Sequence, residues 1–242
     1  MREELIAGPD GAIWTAAQGA GPPLVLCPGG PGCPDYLGPV AALIDDVATV
    51  IRYDPPGCGR SAPLPAYSID SCLAALELIR LHHGLERWTV AGHSAGADLA
   101  LIYALRYPER VERLICLAGG RMNNDREWHA AYSRNRDAGL EPPLDFRFPP
   151  NMEVNAQVNA DQKRFIQRPR LWREIAELRV PALFVYGAAD IRPSWPVEQV
   201  ARLLPAASFV LLDADHHLWL GRPDELRAAL RDFLAAPRSV RE

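Results

Sequence analysis

The segment GHSAG, Gly92 to Gly96, places a serine between two glycines, directly after the apolar run WTVA and directly before the helical pattern ADLALIYALRYP. A serine at a sharp strand-to-helix turn is held in a strained conformation that lifts its hydroxyl above the sheet, at the positive end of a helix dipole. Flanking glycines let strand and helix approach. A helix N-cap serine would need neither, so Ser94 is read as a nucleophile. A serine hydroxyl attacks a carbonyl only when a base takes its proton and an acid orients that base. The segment DADHHLWL, Asp213 to Leu220, supplies two of the chain's six histidines, His216 and His217. Adjacent histidines in an extended loop point in opposite directions, so one at most bridges serine and acid. A histidine pair before an apolar run is also an ordinary strand-end loop, and the elements must decide.

Short apolar runs recur, each ending in Gly, Pro or Asp: PLVLCPGG, VATVIRYDPPG, RWTVAGHSAG, VERLICLAGG, VPALFVYGAAD and ASFVLLDAD. Between them lie helical patterns, SIDSCLAALELIRLHHG, ADLALIYALRYP, WPVEQVARLLP and PDELRAALRDFLAA. Continuous apolar strands alternating with helices predict a mostly parallel sheet covered on both faces. The opening pair EELIAG and AIWTAAQG, joined around PDG, predicts an antiparallel hairpin. From Arg121 to about Ala176 no strand pattern occurs; an inserted helical lid over residues 121–176, within one domain of 1–242, is expected there. In such an architecture the partners follow in the order serine, acid, histidine, each at the end of a later strand. ALFVYG runs into AAD, which makes Asp190 the acid, and the next strand ends at the paired histidines. All three groups then meet at the carboxyl ends of the strands, where open α/β sheets bind ligands.

These residues resemble an α/β-hydrolase fold enzyme over essentially the whole chain, and within that superfamily the proline iminopeptidase-like branch. GGPG (Gly29 to Gly32), DPPGCGRS (Asp54 to Ser61) and HHLWLGRPDELRAALRDFL carry the closer likeness. In that family one histidine precedes, by seven positions, the proline that opens the final helix. Counting back from Pro223, the resemblance implies His216 as base, with His217 in a slot that relatives fill with an apolar or aromatic residue. An oxyanion hole is expected from the N–H of Ala95 and from the loop after LVLC. Pro28 and Pro31 have no N–H, which points to Gly30. Relatives carry histidine where Pro28 stands.

The expected function is serine hydrolysis of an ester, amide or similar small acyl substrate through Ser94, His216 and Asp190. Two alternatives stand beside it. A proline iminopeptidase-type aminopeptidase would hold the substrate's α-amine with lid acids, for which Glu141, Asp145, Glu153 and Asp161 are candidates, though Arg134, Arg136, Arg147 and Arg164 interleave with them. A non-catalytic α/β-hydrolase-fold binding protein would need a broken triad. Asp54 is read as loop-forming, and Asp98, one turn beyond Ser94, as lining the pocket or else as solvated or bonded to the lid. Trp128, Tyr132, Phe146, Phe148 and Phe165 are read as acyl-pocket lining or lid packing.

Hydrophobic residues make up 48% of 242, ample for a core. With 26 basic against 30 acidic residues, no cationic footprint for nucleic acid exists. No run reaches membrane-spanning length and MREELIAGPDG lacks the apolar core of a secretory signal. The five cysteines form no CxxC pair. A soluble, cytoplasmic protein acting on a small molecule is expected, with no cofactor, no metal and no redox role for the thiols.

Overall fold

The alternating apolar runs fold into one eight-stranded sheet. The computed structural model describes residues 1–141 and 143–236. Its strands are β1 (Arg2–Gly8), β2 (Gly11–Gly19), β3 (Pro23–Cys27), β4 (Thr49–Tyr53), β5 (Trp88–His93), β6 (Val111–Leu117), β7 (Ala182–Gly187) and β8 (Ala207–Leu212). The order across the sheet is β1-β2-β4-β3-β5-β6-β7-β8. β1 pairs antiparallel with β2, and β2 with β4; the remaining pairings are parallel. The helices are α1 (Gly38–Ala42), α2 (Ile69–His82), α3 (Ala95–Arg106), α4 (Arg126–Asp137), α5 (Met152–Phe165), α6 (Leu171–Glu177), α7 (Trp195–Leu203), α8 (Leu218–Gly221) and α9 (Pro223–Ala235).

Strand periodicity splits the core into two layers. On β3, Val25 and Cys27 face α2, α3, α6 and α7, while Leu24 and Leu26 face α1 and α9. Both faces of β3, β5 and β7 are thus buried, which is why those strands read as continuous apolar runs. β8 departs from that expectation. It forms the sheet edge, and Leu211 is 52% exposed despite its apolar neighbours. Two short helices, α1 and α8, carry too few turns to leave a periodic signal.

The chain steps outward from β3 in both directions, to β4 on one side and β5 on the other. At this switch point the loops after β3 and β5 lie side by side, with Cys27 paired to Gly92. Between β6 and β7 the described residues hold α4, α5 and α6 and no strand. Helix α5 is tied to the sheet's upper loops by its cap. Asn151 donates from its backbone to Gly32 O (2.8 Å) and from its side chain to Gly57 O (2.8 Å). Asn155 donates to the carbonyls of Gly30 and Pro31, both at 2.8 Å.

Candidate active site

Ser94 ends β5 and caps α3 with φ 56° and ψ −125°, a region that side-chain-bearing residues rarely occupy. The strain persists because the surrounding backbone leaves no alternative. A Cβ on Gly92 would stand 2.1 Å from Gly96 O, and one on Gly96 would stand 2.1 Å from Cys27 O. Both glycines are therefore required for the strand, the turn and α3 to interlock. Ser94 N–H donates to Leu117 O (2.8 Å), fixing the turn to β6. Its hydroxyl has no hydrogen-bond partner among the described residues, and Ser94 lines a cavity of about 550 Å³.

Asp190 follows β7 and His216 follows β8, and the structure brings them together: His216 Nδ1 lies 2.6 Å from Asp190 Oδ2. The other carboxylate oxygen accepts from the Arg192 backbone (2.9 Å) and guanidinium (3.2 Å). Arg192 in turn pairs with Glu141 at 2.6 Å. His216 is 4% exposed, and burial, with Arg192 nearby, pushes its imidazole well below the ordinary range, so it rests neutral. Burial pushes the Asp190 carboxyl up, with the Arg192 charge opposing it.

His217 is 6% exposed and neither reaches solvent nor pairs with Asp190. Its ring sits 5.5 Å from those of His216 and Trp219, and its Nδ1 has no hydrogen-bond partner. The short helix α8 starts at Leu218 and turns His217 inward onto Trp219.

A hydrogen-bonded chain links His216 to the loop after β3. Gly29 N–H donates to Tyr36 Oη (2.9 Å), Tyr36 Oη lies 2.6 Å from His93 Nδ1, and His93 Nε2 lies 2.9 Å from His216 O. A carbonyl only accepts, so Nε2 carries the proton and Nδ1 receives the tyrosine's. Burial holds His93 neutral and the Tyr36 phenol protonated, so the chain runs in one direction. His93 sat unassigned within GHSAG, and Tyr36 gave no sequence signal.

With Gly29 N–H engaged, Gly30 N–H and Ala95 N–H are left without acceptors among the described residues, and both residues line the cavity beside Ser94. Asp98 also lines it and is bonded across elements. Its carboxylate accepts from the N–H groups of Gly120 (2.7 Å) and Arg121 (2.9 Å) and from Gln162 of α5 (2.6 Å). Trp128 and Tyr132 line the same space, whereas Phe165 joins the core and Phe146 packs edge-on against Tyr36. A smaller apolar cavity of about 40 Å³, walled by Ile69, Leu99, Ile102, Val154 and Val158, adjoins it at Ala95 and Asp98.

Asp54 is fully buried and accepts from the N–H groups of Asp35 (2.7 Å) and Arg60 (2.8 Å), a loop anchor that does not line the Ser94 cavity. Of the four candidate amine-binding acids none lines the cavity. Glu141 is taken by Arg192, Asp161 accepts from Ile69 N–H, and Glu153 accepts from Gln157. All five thiols are unpaired, and burial pushes Cys27, Cys58 and Cys72 up to about 12 and Cys33 to about 11. Thiolate chemistry is closed to them near neutral pH. No helix among the described residues is long and apolar enough to cross a membrane.

Comparison with known proteins agrees with this architecture. A proline iminopeptidase of Saccharolobus solfataricus is 39% identical over 107 residues, 42% of this chain and 34% of that protein. The chain spans about a third of the length of the first curated relatives it matches. A proline iminopeptidase of Heyndrickxia coagulans aligns more fully, at 25% identity over 90% of this chain and 92% of the relative. Among solved structures, a hydrolase from Pseudomonas aeruginosa PA01 superposes with a TM-score of 0.79 at 20% identity, covering 97% of this chain and 98% of the other. The alpha/beta hydrolase fold family model matches residues 22–147, more than half of the chain. The chain belongs to the α/β hydrolase fold family, and proline iminopeptidases are among its relatives.

Proposed function

We propose that the chain is a serine hydrolase of small acyl substrates, with Ser94 as nucleophile, His216 as general base and acid, and Asp190 as the group that orients it. The observation that carries this is the 2.6 Å contact between His216 Nδ1 and Asp190 Oδ2, set beside a strained serine that faces a cavity. With Nδ1 committed to Asp190, Nε2 is the nitrogen available to Ser94. In this reading Ser94 Oγ bonds the substrate carbonyl carbon while its proton passes to His216 Nε2. The oxyanion takes the N–H groups of Gly30 and Ala95. The intermediate collapses with cleavage of the bond to the leaving group, which takes the proton from His216. Water, deprotonated by His216, then repeats the attack and releases the acid and Ser94. Helices α4 and α5, which line the cavity, act as its lid.

The names of the curated relatives favour an aminopeptidase as second reading. It needs a carboxylate to receive the α-amine, and among the described residues the cavity offers only Asp98, which already accepts three hydrogen bonds. An ester or comparable acyl substrate is therefore placed first. The test is hydrolysis of p-nitrophenyl butyrate by the wild type and by Ser94→Ala. The variant should keep its thermal transition and lose activity by roughly a thousandfold or more, since members of a triad act as a unit. Retained activity would move the nucleophile elsewhere, and prolyl-anilide turnover exceeding ester turnover would reverse the order of the two readings.

A further inference from the structure

Among the described residues, the wall of the Ser94 cavity carries four cations, Arg121, Arg136, Lys163 and Arg192, and a single carboxylate, Asp98. They are not equally free. Arg192 is neutralised by Asp190 and Glu141, and Arg136 lies against Asp137. Among the described residues Arg121 and Lys163 have no carboxylate within ion-pair distance. Arg121 is also held in place. Its backbone N–H donates to Asp98, its Nη1 donates to Asn123 O, and its guanidinium stacks 4.0 Å over the Trp128 ring. Stacking and the bond to Asn123 fix the guanidinium plane and leave further N–H groups to bond a ligand. Lys163, on α5, adds a mobile charge on the same wall.

Asp98 is the one lining group that could balance them. Burial pushes its carboxyl up, with the Arg121 charge opposing it, and its oxygens already accept from Gly120, Arg121 and Gln162, so one carboxylate offsets the two cations only in part. A substrate entering this space meets an unbalanced positive wall. An ammonium would be desolvated beside two cations without a free carboxylate, which is costly; a carboxylate would gain charge-assisted hydrogen bonds in a partly enclosed site.

We propose that the substrate class of this site is an acyl compound with a second, anionic carboxylate remote from the scissile carbonyl, held by Arg121 and Lys163. This rests on the serine hydrolase reading and adds to it the charge of the substrate. The reaction remains hydrolysis: the ester C–O bond breaks, water supplies the hydroxyl of the new acid and the proton of the released alcohol, and the remote carboxylate is unchanged.

The test compares mono-p-nitrophenyl adipate with its methyl ester, which matches it in chain length but lacks the charge, after subtracting enzyme-free hydrolysis. We expect kcat/KM for the anionic ester to exceed that of the neutral one by about tenfold or more at low salt, with the advantage shrinking toward about 0.5 M NaCl. The ratio should fall at least fivefold in the double variant Arg121→Gln, Lys163→Gln, and partly recover in Arg121→Lys. Because the neutral ester is the denominator, a folding defect alone leaves the ratio unchanged. Equal or faster turnover of the neutral ester, with Ser94-dependent activity intact, overturns this inference and leaves the hydrolase reading standing. A preference for prolyl anilide overturns it in favour of the amine. Turnover of neither ester beyond the Ser94→Ala level overturns both.

Discussion

At the scale of single residues the account turns on which of two adjacent histidines meets Asp190. Chain spacing alone leaves the pair open, and the family's seven-residue interval to Pro223 selects His216. The folded chain places His216 on Asp190 and His217 on Trp219. His216→Ala should lose nearly as much activity as Ser94→Ala, and combining the two should cost little more. His217→Ala should keep most of the rate. A silent His216→Ala beside an inactive His217→Ala, in kcat measured on one ester, would reverse the assignment. The acidity of His216 gives a second expectation. Its imidazole is pushed well below 6.5, so the neutral, proton-accepting form persists as pH falls through the ordinary histidine range. The rate should be flat through neutrality and decline on the acid side with a midpoint below 6.5. An acid limb centred at or above that value would contradict a buried, neutral base. Tyr36 and Arg192 were not legible in the sequence: Tyr36 acts on His93, 57 residues away, and Arg192 joins Asp190, two residues before it, to Glu141, 51 residues before it, a convergence that only the fold creates.

At the scale of elements the strand–turn–helix unit around Ser94 was the most legible part of the chain. Its signal is local: an apolar run, two glycines and a helical pattern in sequence. Backbone distances show the reason for the glycines, since carbonyls stand 2.1 Å from where either Cβ would go. Gly96→Ala should therefore destabilise the fold by about 1–3 kcal/mol through overpacking against Cys27, a fall in Tm of roughly 2–12 °C. An unchanged Tm would show that the turn relaxes freely. The loop after β3 depends on distant support from Tyr36 and α5. Tyr36→Phe removes the acceptor for Gly29 N–H and the donor to His93 in one step, at a cost of about 1–3 kcal/mol for the orphaned groups. It should lower kcat about tenfold with little change in KM, because the loop and the base shift while the cavity wall stays. A purely structural role would lower Tm and leave kcat unchanged. The edge position of β8 and the short helices α1 and α8 escaped sequence reading, since an apolar hexamer reads alike at an edge or in the middle and a single turn has no period.

At the scale of the whole molecule, strand order does what no residue does alone. Residues from loops after β3, β5, β7 and β8 meet because β3 is central and the chain leaves it in both directions. The order of serine, acid and histidine along the chain made this arrangement legible. The charge of the cavity wall did not follow from it. Net charge is −4 and acids and arginines interleave through residues 121–176, so only the folded chain shows which of them face inward. The central claim, that Ser94 is an activated nucleophile in an open site, is met most directly by labelling the intact protein with a fluorophosphonate and mapping the adduct by peptide mass. The account predicts one adduct, on the peptide containing Ser94, formed at a rate that falls in His216→Ala. An adduct on another serine, or no adduct on the folded protein, would contradict it.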